Sequence, residues 1–315
     1  MLEKHVLLFL LLTITPFSFC CAQGIEIFEV EDFDLRGNVE SCFVITDYGK
    51  EEYYFDETGR LTKAVTRYND SDYETTYYKY VNQELIEKRV ENYQDNRFDR
   101  ATSLANFYTI DSTSNRKVTE KIISYEKELL EQNVYSYDED GKLVLIKYTN
   151  TDGTDENTIT YEDGDLGQVV TQKVNDVLLK TVLKSKLKSE KDSLLENVVT
   201  EKYFKGELNT KTEEIFNGAN KLLSSKSYLY DSPTEKWISQ GEYYNTYDEK
   251  GLLLSTKTKE RFGFSTKEYI YQFDGTAANN WVKEIITPAN AYKTRKITYY
   301  KVPSSEEKGE LDGQN

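Results

Sequence analysis

The stretch Tyr135-Ser-Tyr137-Asp138-Glu-Asp-Gly141-Lys142-Leu143 constrains the fold more than any other. Two tyrosines two apart share one face of a strand. Asp138 suits a tight turn because its carboxylate can accept backbone N–H groups. Gly141 can take the left-handed conformation that closes a short hairpin loop with a bulge. Lys142 and Leu143 then begin a return strand. The same grammar recurs at Tyr53-Tyr-Phe55-Asp56-Glu-Thr-Gly59-Arg60-Leu61 and at Tyr247-Asp248-Glu-Lys-Gly251-Leu252, and in looser form at 159–166, 203–208 and 215–222. Asp56, Gly59, Asp138, Gly141, Asp248 and Gly251 are therefore read as turn residues. Self-similarity of this kind marks an array whose units bury their apolar faces only against neighbours.

The predicted fold is all-β: an elongated antiparallel meander of repeated β-hairpins, roughly twenty strands in all. Open twisted sheets beyond about ten strands curl or split, so the meander is expected to coil or fold on itself. Residues 24–48 read as two strands, with Ile25, Ile27 and Val30 alternating in the first and 39–46 forming the second. Residues 177–199 carry enough leucine for a helix. The β pattern on either side favours a hairpin with its turn at 189–193.

The three well-formed units resemble the YD repeat of Rhs-like and teneurin-like proteins. Looser versions are similar to exported, uncharacterised proteins of Bacteroidetes-type bacteria, where Asn280-Trp281-Val282-Lys283 after a turn fits as well. The resemblance covers most of residues 50–300 and implies hairpin-array architecture. It implies nothing firm about activity, because fold does not carry function. Rhs chains are far longer, form a closed shell and end in a variable toxin domain. Here only a short tail follows the last strand.

Residues 1–22 read as a signal peptide: a weak basic start at Lys4 and His5, an apolar run over 6–14, and Cys20-Cys21-Ala22 ahead of Gln23. Acylation of Cys20 or Cys21 as a lipid anchor is the alternative. Residues 23–302 form the repeat domain, and the polar, acidic residues 303–315 are expected to be disordered. No later stretch is long and apolar enough for a transmembrane helix. The expected location is the periplasm, outer membrane or cell surface of a Gram-negative bacterium. A net charge of −15 disfavours nucleic acid and anionic membrane surfaces as general partners.

The chemistry is bounded by what is missing. The sole histidine is His5, so the chain after the signal lacks Ser-His-Asp and Cys-His nucleophiles and imidazole metal sites. Cys42 would be its only cysteine, and its apolar surroundings place it in a core. No cofactor, metal or catalytic residue is assigned. The oxygen-rich loop 150–157 fails the EF-hand spacing. The acid pairs Glu162 with Asp163 and Asp138 with Asp140 are the best nominations for glycosidase-like work, and turn chemistry explains them more simply.

Candidate binding residues are Lys184, Lys186 and Lys188 in a basic island, and Tyr77, Tyr243 and Tyr244, which the repeat does not need. The island could meet an acidic partner or guard a sheet edge. The tyrosines could bind a partner or form cross-strand ladders. The functional expectation is an exported, non-catalytic repeat protein offering a β surface to an envelope protein or glycan. The alternatives are a carboxylate-dependent glycan hydrolase, or an immunity or shell-like partner of a toxin.

Overall fold

The computed structural model describes residues 25–46, 49–188, 194–260 and 262–301. The signal, Cys20, Cys21, the turn 189–193 and the tail 303–315 lie outside them. Twenty strands follow one another. They are β1 (Val39–Thr46), β2 (Gly49–Phe55), β3 (Leu61–Arg67), β4 (Tyr73–Val81), β5 (Glu84–Gln94), β6 (Arg97–Asp111) and β7 (Lys117–Ser124). Next are β8 (Leu129–Tyr137), β9 (Leu143–Asn150), β10 (Gly153–Gly164), β11 (Gly167–Val174), β12 (Val177–Lys188), β13 (Leu194–Phe204) and β14 (Glu207–Phe216). The last are β15 (Leu222–Asp231), β16 (Lys236–Tyr247), β17 (Leu253–Glu260), β18 (Gly263–Phe273), β19 (Trp281–Thr287) and β20 (Ala291–Tyr299).

Each strand pairs antiparallel with the next, and β20 pairs antiparallel with β1, Ile297 opposite Cys42 and Arg295 opposite Val44. The meander closes into a barrel, so no strand edge is left unpaired. Residues 177–199 form the paired strands β12 and β13. The first predicted strand is not one. Residues 25–37 make a single bridge, Glu29 with Arg60, and a 3-10 turn at Val30–Phe33. The alternation of Ile25 and Ile27 imitates a strand, but burial of Val30 and Leu35, at 3% and 1% exposure, instead folds the segment over the barrel.

The repeat unit works through one recurring contact. A bulge sits where each of β2, β8, β14 and β16 enters its turn, between Tyr54 and Phe55, Ser136 and Tyr137, Ile215 and Phe216, and Thr246 and Tyr247. A bulge takes one residue out of the ladder. The leucine that opens the return strand then offers its carbonyl to a tyrosine hydroxyl from the following hairpin. Tyr80 donates to Leu61 at 2.8 Å, Tyr161 to Leu143 at 3.0 Å, Tyr247 to Leu222 at 2.9 Å and Tyr271 to Leu253 at 2.9 Å. Each unit is thus pinned by its successor.

Strand residues alternate between two faces. One face holds Cys42, Val44, Val118, Ile146, Ile159, Val170, Val182 and Val198, none more than 7% exposed. Pairing carries it around the ring: Val118 opposite Tyr135, Tyr135 opposite Ile146, Ile146 opposite Asn157, and Val170 opposite Val182. This is the inner wall. The outer wall bears ion pairs, including Glu52–Arg67 at 2.8 Å, Arg89–Glu91 at 3.1 Å, Lys147–Glu156 at 2.5 Å, Lys211–Glu213 at 2.7 Å and Lys259–Glu242 at 2.9 Å.

Candidate binding site

The strand count is even, so β1 starts and β20 ends at the same end of the barrel. We call it proximal and the other distal. The proximal end carries the turns 56–60, 138–142, 217–221 and 248–252. The first aspartate of three of them is spent on backbone amides. Asp56 Oδ1 accepts from Thr58 N at 2.9 Å and Arg60 N at 3.1 Å. Asp138 accepts from Lys142 N at 2.8 Å, and Asp248 from Leu252 N at 2.8 Å. Gly59, Gly141 and Gly251 have φ of 88°, 76° and 81°, which favours glycine.

Residues 25–37 lie along the inner side of this end. Phe28 O accepts from Leu61 N at 2.8 Å, and Val30 N donates to Gly59 O at 2.9 Å. Phe33 packs on Tyr53 and Phe55, with ring centroids 4.4 and 5.4 Å apart. Further along, Asn280 clasps Arg36 through both amide atoms: Oδ1 accepts from Arg36 N and Nδ2 donates to Arg36 O, each at 2.8 Å. Arg295 stacks 3.5 Å over the Trp281 ring and donates to Phe33 O at 2.9 Å. Burial lowers its pKa, though a guanidinium stays charged at neutral pH.

Between this segment and the turns at 221, 250 and 279 is a pocket of about 190 Å³. Arg36, Lys221 and Lys250 supply donors, Glu31 and Asp34 supply acceptors, and Phe273 and Trp281 form an apolar side. Lys221 pairs with Asp34 at 3.4 Å.

The inner wall holds a second polar group that sequence reading missed. Glu120 is 7% exposed. Its carboxylate accepts from Asn106 Nδ2 at 2.7 Å, Asn133 Nδ2 at 3.1 Å and Tyr135 OH at 2.8 Å. Burial pushes its pKa up, and these hydrogen bonds with one from Tyr108 outweigh that and hold it below the usual carboxylate range. An ionised acid on β7 is therefore held by neutral donors on the flanking strands β6 and β8. The one available signal was its inward register between Val118 and Ile122.

The six candidate residues do not come together. Lys184 and Lys186 share the inner face with Val182, and Lys186 stands opposite Glu196. Lys188 follows on the same face. The island lies within a closed sheet and guards no edge. Tyr243 faces inward opposite Ser225. Tyr244 faces outward, its hydroxyl on Glu242. Tyr77 stands on the outer wall between Lys63 and Arg89, cations 5.8 and 4.8 Å from its ring. The ring faces are occupied by neighbours. Nearby Tyr73 and Tyr93 stack at 4.5 Å and 9°.

The nominated pair Glu162 and Asp163 does not converge either, and Asp138 of the other pair is taken up by the Lys142 amide. Glu162 and Asp163 are adjacent in β10 and point to opposite walls. Asp163 accepts from Gln168 Nε2 at 3.0 Å. Loop 150–157 is a tight hairpin in which Asn150 Oδ1 accepts from Asp152 N at 2.8 Å. Among the described residues there is no group of three or more candidate metal ligands.

No family model matches the chain, and no curated protein does. Among solved structures it is similar to a porin-like protein from Bacteroides uniformis ATCC 8492, at 10% identity over 84% of this chain and 99% of that one, with a TM-score of 0.32. A porin-like protein from Bacteroides vulgatus ATCC 8482 matches at 10% identity over the same shares, with a TM-score of 0.26. The TcdB2-TccC3 structure matches at 11% identity over 80% of this chain and 17% of that chain, with a TM-score of 0.20.

Proposed function

We propose that the chain is an exported, non-catalytic β-barrel of the bacterial envelope that stands in water and binds a protein or glycan at its proximal mouth. The outer wall carries this reading. A barrel wall in lipid needs an apolar band about 25 Å tall, and each Lys or Arg near the bilayer midplane costs about 2–4 kcal/mol. Glu52–Arg67, Arg89–Glu91, Lys211–Glu213 and the Lys226–Glu242–Lys259 group lie in strands on several sides of this ring. No helix among the described residues is long and apolar enough to cross a membrane.

The non-catalytic reading is supported by how the acids are used. Asp56, Asp138 and Asp248 bind turn amides, and Glu120 is saturated by neutral donors. Burial raises the pKa of Glu214, which stands between Val198 and Ser225 rather than opposite a second acid. The hairpins belong with YD repeats in architecture on this reading, the tyrosine-to-leucine contact being the element to seek in both. The mouth pocket has donors, acceptors and an aromatic side, the mix that suits one sugar ring or one large side chain.

The test is a glycan array and a pull-down from envelope extract, each with the chain from Gln23 and with Lys250→Glu. Capture that the variant weakens supports the reading. Turnover of any glycan by the purified chain overturns it.

A further inference from the structure

We propose that the distal rim is a bilayer-docking surface, which seats the barrel on the headgroup layer without crossing it. This rests on the barrel standing in water. The observation is an asymmetry between the two ends. Tyr68, Tyr125, Phe204, Phe262, Phe264 and Tyr292 are 48% to 91% exposed, and all lie at distal turns or the strand ends beside them. They belong to five different hairpins, after β3, β7, β13, β17 and β19, so they spread around the ring. At the proximal end the exposed aromatic ring among the described residues is Phe273, which lines the mouth pocket.

The chemistry of the rim is that of a membrane interface. Aromatic rings concentrate where hydrocarbon meets headgroups. Four of these rings have a cation beside them: Arg100 at 5.2 Å from Tyr125, Lys205 at 5.5 Å from Phe204, Lys257 at 4.3 Å from Phe264 and Lys283 at 5.2 Å from Tyr292. A ring with a neighbouring ammonium or guanidinium can enter the interface while the cation meets lipid phosphate. Geometry selects a flat occupant. Contacts spread around one end of a closed ring cannot all reach a small convex protein, whereas a bilayer meets them together.

The experiment is flotation of the chain from Gln23 with vesicles of phosphatidylethanolamine and phosphatidylglycerol, followed by an alkaline carbonate wash. The chain is expected to float and to be released by the wash. The rim variant Tyr68→Ser/Phe204→Ser/Phe264→Ser/Tyr292→Ser should lose at least tenfold in vesicle partition at an unchanged melting temperature. The proximal variant Val81→Ser/Leu166→Ser should keep it. A chain that stays with the soluble fraction, or equal loss in the proximal variant, overturns the proposal alone. A dimer that the rim variant splits, with no flotation, assigns the rim to a second copy and overturns it. Flotation that resists carbonate overturns both this proposal and the water-standing barrel.

Discussion

Cys42 and Glu120 show what single residues contribute to this barrel. Burial pushes the Cys42 thiol up to about 11, so thiolate is scarce at neutral pH. The native protein should resist iodoacetamide at pH 8 and label fully in urea; mass spectrometry reads the difference. Glu120 binds its proton more weakly folded than unfolded. It adds stability above its unfolded pKa, which is lost as pH falls through its lower folded value. Glu120→Gln should cost about 2–3 kcal/mol at pH 7, since hydrogen bonds to a charged group are lost. It should also flatten the acid limb of a plot of stability against pH, as urea titrations at pH 7 and pH 4 would show. Cys42 was legible because apolar neighbours surround it in sequence. Glu120 was not, because an inward acid in a strand looks like an outward one until its register is known.

At the scale of the hairpin, the structure adds the link between units. Tyr247→Phe deletes one of the two donors to the Leu222 carbonyl, which keeps only Asn245 Nδ2 at 3.0 Å. A loss of about 1 kcal/mol is expected, measured by urea unfolding. Gly141→Ala places a side chain at a φ of 76° and should cost about 1–2 kcal/mol. Strands and turns were readable because two-residue alternation and the Asp-x-x-Gly turn are local signals. The tyrosine-to-leucine bond joins residues 18 to 25 positions apart, and the spacing of the aromatics showed only that something recurred. The 25–37 segment misled because two alternating isoleucines satisfy the strand pattern with no partner strand beside them. The lysine island shows the same limit: alternation places Lys184 and Lys186 on one face without saying which wall that is.

Closure belongs to the whole molecule. Sequence predicted a sheet that must curl, and nothing local marks Ile297 as the partner of Cys42. Ile297→Pro removes a ladder donor from β20 and should open the seam. The exposed β1 edge can then pair between molecules. Size-exclusion chromatography with light scattering should show oligomers where the parent chain is monomeric. The mouth pocket was illegible for the same reason, because Arg36 and Asn280 lie 244 residues apart.

That seam also dictates an order of events. Nineteen of the pairings join consecutive strands and can zip up one hairpin at a time. The last waits for the C-terminal strand, whatever the rate of the rest. A chain emerging N-terminus first therefore carries β1 as an unsatisfied template until β20 arrives, across some 250 residues of growing sheet. Loop closure over that distance adds little entropic cost beyond that of a shorter loop. The hazard is duration, since an open edge recruits other chains in proportion to how long it lasts. The N-terminal clasp touches the β2–β3 turn, which is present early, and Asn280, which comes late. It can hold one side of the seam ready and meet the other when it arrives.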